Sequence, residues 1–518
     1  MSTTSTSPAP SESQPKSSRV CLNCRRKKKR CDKGLPSCTR CLDSRQHCQH
    51  EDDFSRPSTS GTPGPLMGQY VPPTPEHRAR QQSSPGWNTT LSPSLFATMD
   101  SLEDNIHYFV FRCLFETLDN RQGVEQVVAS YFEDAHIWFP IICQSTFDRQ
   151  LDDMWTTPSA ETGLLVLCMR LLIRQPFPIP ISGMDDSHYL SAKTTLNLVQ
   201  SKRPFSIPLL QAELLIALYE FSHSMPQQAY LSVGKCFQVT RAFGWHNEAF
   251  WSQGHQAFDP RGLKLSSLLW WAIVYVDCLI HVGYQEQRYP LHTSGPNLAY
   301  FQIPFPEAFD QYLPGSISFQ LQGDGFGFLD GSLERLPIDA VVWPGASSAG
   351  YLRDVLERLS SPSPPSLVER NNTTESIMRH TINLLETKST AAVGANFIAL
   401  MKLNQAGLLT GAGASSSLGP TEMRPIETIR YIIDSICEIA LNVDRFGHGA
   451  PCGAFAAYYA CLLLISHGDN VLQDTQWLFK VENLKKTLSA LCRRWKIAEQ
   501  YLESVNLALN NRLAGYAL

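Results

Sequence analysis

The chain has 518 residues, 43% hydrophobic and 10% aromatic, enough to bury a substantial core and too long for one small module. Its net charge of −4 hides a split: residues 1–50 carry 11 Lys+Arg against 3 Asp+Glu, while the remainder carries 33 against 45. A basic head on an acidic body points to a nucleic-acid-binding module joined to a regulatory domain, and away from a uniformly charged binding protein.

Residues 1–18 are Ser/Thr/Pro-rich, read as disordered, and lack the apolar core of a signal peptide. The longest apolar runs, Leu268–Val276 and Ala454–Ile465, are shorter than the ~20 residues of a membrane-spanning helix. The expectation is therefore no membrane partner and a reducing compartment, where thiols bind metal or pack rather than form disulfides.

Residues 19–50 are dense in cysteine: Cys21-LN-Cys24-RRKKKR-Cys31-DKGLPS-Cys38-TR-Cys41-LDSRQH-Cys48. Each half has the form C-x2-C-x6-C, and six residues join the halves. A C-x2-C turn aims two thiolates at one metal, and tetrahedral zinc accepts such ligands. Two tetrahedral zinc ions need eight ligand positions, which six thiolates fill only if two of them bridge. Symmetry between the halves suggests Cys21 and Cys38 as the bridges. Six thiolates and two zinc ions leave the head at about +6, and so few apolar residues make the metal the source of its folding energy. Single-zinc ribbons, iron–sulfur sites and disulfide scaffolds are the competing readings of such cysteines; the equal halves and the reducing compartment disfavour them.

The first half's loop, Arg25-Arg26-Lys27-Lys28-Lys29-Arg30, is basic throughout, whereas its counterpart Leu42–His47 is mixed. Only the first offers a cationic face for phosphates and for guanine O6/N7. The same basic run can serve as a nuclear localisation signal.

In this spacing, and in Pro36 two residues before the fourth cysteine, the segment Cys21–Cys48 resembles the Zn(2)-C6 fungal-type zinc-cluster regulators. The resemblance implies two zinc ions held by Cys21, Cys24, Cys31, Cys38, Cys41 and Cys48. It implies Lys27 and Lys28 at the bases of a CGG-type triplet in duplex DNA, with Arg25, Arg26 and Arg30 mostly on phosphates, which fix position without reading sequence. The implied function is a sequence-specific RNA polymerase II regulator in the nucleus, often of a metabolic or secondary-metabolite gene cluster, working with transcription machinery or co-regulators. A zinc-stabilised interaction protein with only non-specific nucleic-acid binding is the alternative.

Residues 51–95 are rich in Pro, Ser, Thr and Gly and read as a flexible linker without heptads, so the protein either binds DNA as a monomer or forms a homodimer through the large domain. From about residue 96 to 518 the periodicity is helical. Pro208 and Pro226 open helices, with Leu210, Leu214, Leu215 and Leu218 on one stripe and Tyr230, Val233 and Phe237 on the other; Gly244 ends the second. Residues 264–283 and 426–444 read as helices, and a last long helix carries Leu484, Leu488, Leu491, Trp495, Ala498 and Leu502. Residues 313–350 and 409–425 read as long loops.

This body resembles the same family's helical regulatory domain in Tyr131-Phe132…His136…Pro140…Phe147, in Gly234…Phe243-Gly244-Trp245-His246, in Trp270-Trp271…Asp277, and in Arg494-Trp495…Ala498…Tyr501-Leu502. It departs from the family where Cys278 replaces an arginine and Gln287-Arg288-Tyr289-Pro290 replaces Gly-Arg-Pro. The expected architecture is thus a metal-stabilised binuclear zinc-cluster head (19–50) and a mainly α-helical regulatory domain (96–518). The aromatic residues of the body, and the nine cysteines outside the head, are expected in its core. Gly411-Ala-Gly413 fails the dinucleotide fingerprint, and no G-x-S-x-G, H-E-x-x-H or Walker motif is present, so no catalytic residue is assigned and the chain is not expected to be an enzyme.

Overall fold

Every regular element among the described residues of the computed structural model is helical. Those residues are 20–21, 24–25, 27, 29–33, 38–44, 106–176, 184–257, 260–284, 289–293, 303–312, 343–363, 365–387, 389–411, 420–440 and 449–516. The chain divides into two units, Met1–Thr89 and Thr90–Leu518, each with its own core. The expectations for residues 1–18 and 51–95, and for Arg26, Lys28, Pro36 and Cys48, fall outside the described residues.

Among its described residues the small unit has the short helix α1 (Thr39–Asp43), and Cys24–Arg25 are helical as well. The large unit runs α2 (Ile106–Leu118), α3 (Arg121–Glu133), α4 (Ala135–Trp138), α5 (Gln144–Met154), α6 (Ala160–Ile173), α7 (Ser187–Lys202), α8 (Ile207–Ser222), α9 (Pro226–Ala242), α10 (Glu248–Ala257) and α11 (Pro260–Gly283). After a 3-10 helix at Pro306–Tyr312 come α12 (Gly345–Ser360), α13 (Leu367–Thr387), α14 (Thr390–Gly411), α15 (Pro420–Ala440), α16 (Pro451–His467), α17 (Trp477–Leu491) and α18 (Lys496–Tyr516).

Local chemistry sets many of these ends. Asn120 accepts the Gly123 N–H at 2.9 Å to start α3, and Asp186 accepts the His188 and Tyr189 amides at 3.1 and 3.3 Å to start α7. Proline occupies the first turn of α8, α9 and α16, where its missing N–H costs nothing. Gly244 stops α9: at φ +78° it lets its own N–H reach Arg241 O and the Trp245 N–H reach Thr240 O, both at 3.0 Å. That pair of bonds is the Schellman closure.

Helices α6, α8, α11, α14 and α16 are apolar around most of their circumference, which suits core helices rather than surface ones. In α8 every residue from Leu209 to Ser222 is buried. It packs on α6, α9 and α11, while α14 packs on α12, α13, α15 and α16. Contact between α11 and α12 joins the two groups. Among the described residues α11 alone is long and apolar enough to cross a membrane, being longer than its run Leu268–Val276, but 89% of its apolar window is buried in protein.

Four expectations are corrected. The last long helix is two, α17 and α18. Between them Trp495 turns inward to donate its indole N–H to Gly449 O at 2.8 Å, and Arg494 forms a buried ion pair with Asp134. The loop reading of 313–350 fails at its end, because α12 begins at Gly345, where small residues admit close packing: a Cβ on Gly345 would collide with the Trp343 ring. The loop reading of 409–425 fails at both ends, since α14 extends to Gly411 and α15 starts at Pro420. Of the nine cysteines expected in the core, Cys143, Cys168, Cys236, Cys278, Cys452 and Cys461 are buried, whereas Cys113, Cys437 and Cys492, the last of them the C-cap of α17, are only half-buried.

Candidate metal centre and nucleic-acid interface

The core of the small unit is made of sulfur. Cys21, Cys24, Cys38 and Cys41 are buried with Cys31 packed against them, and no other apolar side chain joins the cluster among the described residues. The Cys21 Sγ lies 3.7 Å from the Sγ atoms of both Cys38 and Cys41, and Cys24 Sγ lies 3.8 Å from Cys38 and 4.0 Å from Cys41. These separations far exceed a disulfide bond of about 2.05 Å. They match the edge of about 3.8 Å of a sulfur tetrahedron whose centre-to-sulfur distance is about 2.3 Å, the zinc–thiolate length. The sulfurs of Cys21, Cys24, Cys31 and Cys38 all lie within 4.8 Å of one another. A closed, all-sulfur donor set of this size fits zinc.

Backbone geometry holds the sulfurs there. The Cys24 N–H donates to Cys21 Sγ at 3.4 Å and the Arg25 N–H to Cys21 O at 3.0 Å, which folds the first C-x2-C into a helical turn. In the second half the Cys41 and Leu42 amides both donate to Cys38 O at 3.0 Å, opening α1. As a thiol Cys24 resists ionisation, because burial and the hydrogen bonds with Cys21 and Cys41 push it up to about 12 against the opposing bond with Cys38. A dication supplies the field that makes such a cluster thiolate.

Of the basic loop, Arg25, Lys27, Lys29 and Arg30 are exposed, and the Lys29 N–H donates to Cys24 O at 2.9 Å, which ties Lys29 to the first C-x2-C. Asp32 and Thr39 were not singled out from the sequence. The Asp32 carboxylate accepts the Thr39 N–H at 3.1 and 3.2 Å and also accepts the Thr39 hydroxyl. A bond between residues seven apart leaves no periodic mark in a sequence.

In the large unit most of the residues behind the second resemblance pack inside, while His246 is exposed and His136, Phe243, Gly244 and Leu502 are half-buried. Tyr131 and Phe132 are buried, the His136 ring lies 4.8 Å from Phe132, and burial lowers His136 to about 4. Trp245, Trp270, Trp271 and Trp495 are also buried, as core packing requires. Asp277 is buried but paired: it accepts from the Thr293 N–H and hydroxyl at 3.2 Å each, and its Oδ1 lies 3.0 Å from His292 Nδ1. His292 in turn lies between Tyr230 and Phe237, and a Cβ on Gly234 would come within 2.9 Å of its Nε2. Gly234 and Asp277 thus serve one cluster.

Comparison with known proteins agrees with both parts. Residues 19–58 match the model of the fungal Zn(2)-Cys(6) binuclear cluster domain, and residues 128–321 match that of the fungal specific transcription factor domain. Transcription factor BOA15 of Botryotinia fuckeliana is 30% identical over 138 residues, covering 26% of this chain and 73% of that protein. Oleate activated transcription factor 3 of Kluyveromyces lactis is 45% identical over 47 residues, 9% of this chain and 7% of that protein.

Proposed function

The chain belongs to the fungal Zn(2)-Cys(6) transcription factors, DNA-binding regulators whose cluster domain binds two zinc ions, and on that premise we propose that it reads CGG-type sites in duplex DNA through its first cysteine half. The observation that carries this reading is the sulfur cluster with tetrahedral edges, directly continued by an exposed basic loop.

In this reading Cys21, Cys24, Cys31 and Cys38 hold one zinc ion, and Cys21, Cys38, Cys41 and Cys48 the other, with Cys21 and Cys38 shared. The mutual proximity of the first four sulfurs supports the first set, and the 3.7 Å approach of Cys21 to Cys41 supports sharing. Bound zinc supplies the folding energy that so small an apolar content cannot. Lys27 and Lys28 reach base edges, while Arg25, Arg26 and Arg30 neutralise phosphates and set the register.

Residues 19–50 act as the DNA-binding head, 51–95 as the tether and 96–518 as the regulatory body. The protein works in the nucleus on RNA polymerase II transcription, without catalysing a reaction, as the regulator of a pathway such as a metabolic or secondary-metabolite gene cluster. The body recruits co-regulators and is the site of any homodimer contact.

Replacing Lys28 with Ala in the full chain is expected to cost on the order of 1–3 kcal/mol in binding a CGG duplex and to relax selectivity at the base it reads. Unchanged discrimination between CGG and scrambled duplexes in that variant refutes the role given to Lys28. The alternative, an interaction protein with only non-specific nucleic-acid binding, separates by salt. Its affinity for any duplex collapses equally as ionic strength rises, whereas a reader keeps its preference.

A further inference from the structure

Helix α1 opens on a residue whose side chain is committed elsewhere. Cys38 is its N-cap, a position whose side chain ordinarily turns back to satisfy one of the first free amides. The Cys38 thiol makes no such bond, and lies instead in the sulfur cluster, 3.7 Å from Cys21 and 3.8 Å from Cys24. The leading amide of the helix, that of Thr39, is taken by Asp32 from across the link, at 3.1 and 3.2 Å, and the Thr39 hydroxyl donates to the same carboxylate. Asp32 directly follows the third cysteine and Thr39 directly follows the fourth, so this contact ties the end of the first half to the start of the second. Just after Asp32 the chain turns at Lys33, whose φ of +63° is a left-handed conformation that a lysine adopts only when its surroundings hold it.

On charge alone, an acid here works against the module. Asp32 shares a concavity with Arg30 and Arg40, in a segment whose affinity for phosphates rises with each net positive charge. What the acid contributes here is its hydrogen bonds to Thr39 rather than its charge.

We propose that Asp32 is a positioning residue of the DNA-binding head: its carboxylate caps α1 in place of the committed Cys38 and locks the two cysteine halves together, fixing how the basic loop meets the bases. This rests on the DNA-reading role proposed above. Loss of the brace and loss of the charge then act in opposite directions. Removing the brace lowers selectivity, because Lys27 and Lys28 are no longer held in register. Removing the negative charge raises affinity for any duplex.

The test uses the full-length chain loaded with zinc, as wild type, Asp32→Ala, Asp32→Asn and Thr39→Val. Zinc content is measured for each, with binding to a duplex carrying CGG triplets and to the same duplex with those triplets scrambled, over a range of salt. Asp32→Ala is expected to lose on the order of fivefold to tenfold of the preference for CGG, the worth of a helix cap, while holding the scrambled duplex at least as tightly as wild type. Asp32→Asn lacks the charge but keeps a carbonyl that accepts the Thr39 N–H, and is expected to restore the preference. The brace is overturned if Asp32→Ala keeps the wild-type preference, or if Asn and Ala lose it equally. Should Asp32→Ala fail to retain zinc, Thr39→Val decides, since it removes only the hydroxyl donor: a partial loss supports the brace and an unchanged preference overturns it. A wild-type chain with no preference for the CGG duplex refutes the DNA-reading proposal itself, a result distinct from any of these.

Discussion

Arg494 gives the sharpest test of how the regulatory body is held together. Its side chain is 3% exposed, its guanidinium pairs with Asp134, 360 positions earlier in the chain, and its Cζ sits 4.8 Å over the Trp495 ring. Replacing Arg494 with Ala removes a buried pair from one side only and leaves the Asp134 carboxylate, 17% exposed, without its guanidinium. Breaking such a pair costs about 3–5 kcal/mol, and the lost cation–π contact adds about 0.5–1 kcal/mol. Set against a total stability of about 5–15 kcal/mol, that is enough to populate unfolded body at physiological temperature. Equilibrium urea unfolding of the full chain, followed by tryptophan fluorescence, measures it, with Arg494→Lys expected to recover only part because an ammonium cannot at once pair with Asp134, reach Leu172 O and lie flat over the Trp495 ring as the guanidinium does. In the double variant with Asp134→Asn the costs should fall short of their sum, the mark of a coupled pair. A loss below about 1 kcal/mol in Arg494→Ala would show that the contact is a surface-like pair and that the clasp between residues 134 and 494 does not hold the body.

Two further outcomes follow from burial. Gly234→Ala should cost about 1–3 kcal/mol by overpacking, because its Cβ comes within 2.9 Å of His292 Nε2; in a His292→Ala background the same substitution should be nearly neutral, and equal thermal shifts in both backgrounds would count against the steric reading. Burial lowers His136 to about 4, and lowers His223 to about 3 with the help of Arg494, Arg174 and Lys496. The unfolded state, with imidazoles near 6.5, therefore takes up protons that the folded state refuses. The stability is whole above pH 6.5 and is lost as pH falls from there towards 4, by roughly 3 kcal/mol for His136 alone. A pH series of urea midpoints checks this, and His223→Leu should flatten the acid limb; a limb of unchanged steepness in that variant would show that His223 does not set it.

The parts legible in the sequence are those whose cause is local. The cysteine spacing dictates a metal cluster because a C-x2-C turn can aim two sulfurs at one point, and the structure brings Cys21, Cys24, Cys31 and Cys38 together as that requires. Pro208, Pro226 and Gly244 mark helix ends through their own backbone limits, and α8 and α9 start and stop there. What the sequence hides is set by distant partners. The apolar stripe from Leu484 to Leu502 keeps helical spacing across the break at residues 492–495, because Leu484, Leu488, Leu491, Trp495 and Ala498 are all apolar and buried. Only the carbonyl of Gly449 and the carboxylate of Asp134, which turn Trp495 and Arg494 inward, divide it into two helices. The start of α12 at Gly345 was hidden for the opposite reason: a Gly/Ser/Ala run reads as loop, yet its small side chains are what let the helix approach Trp343 and Phe305. Asp32 leaves no mark in the sequence because an isolated acid beside a basic run has no pattern until the helix it caps is seen.

The measurement closest to the central claim is selection of the full-length protein on a randomised duplex pool, at fixed near-physiological salt, with zinc and after chelation. The account predicts enrichment of CGG-type sites that requires zinc, with the spacing of the triplets reporting monomer or dimer. Pools that stay random, or an enrichment that survives chelation, would contradict it.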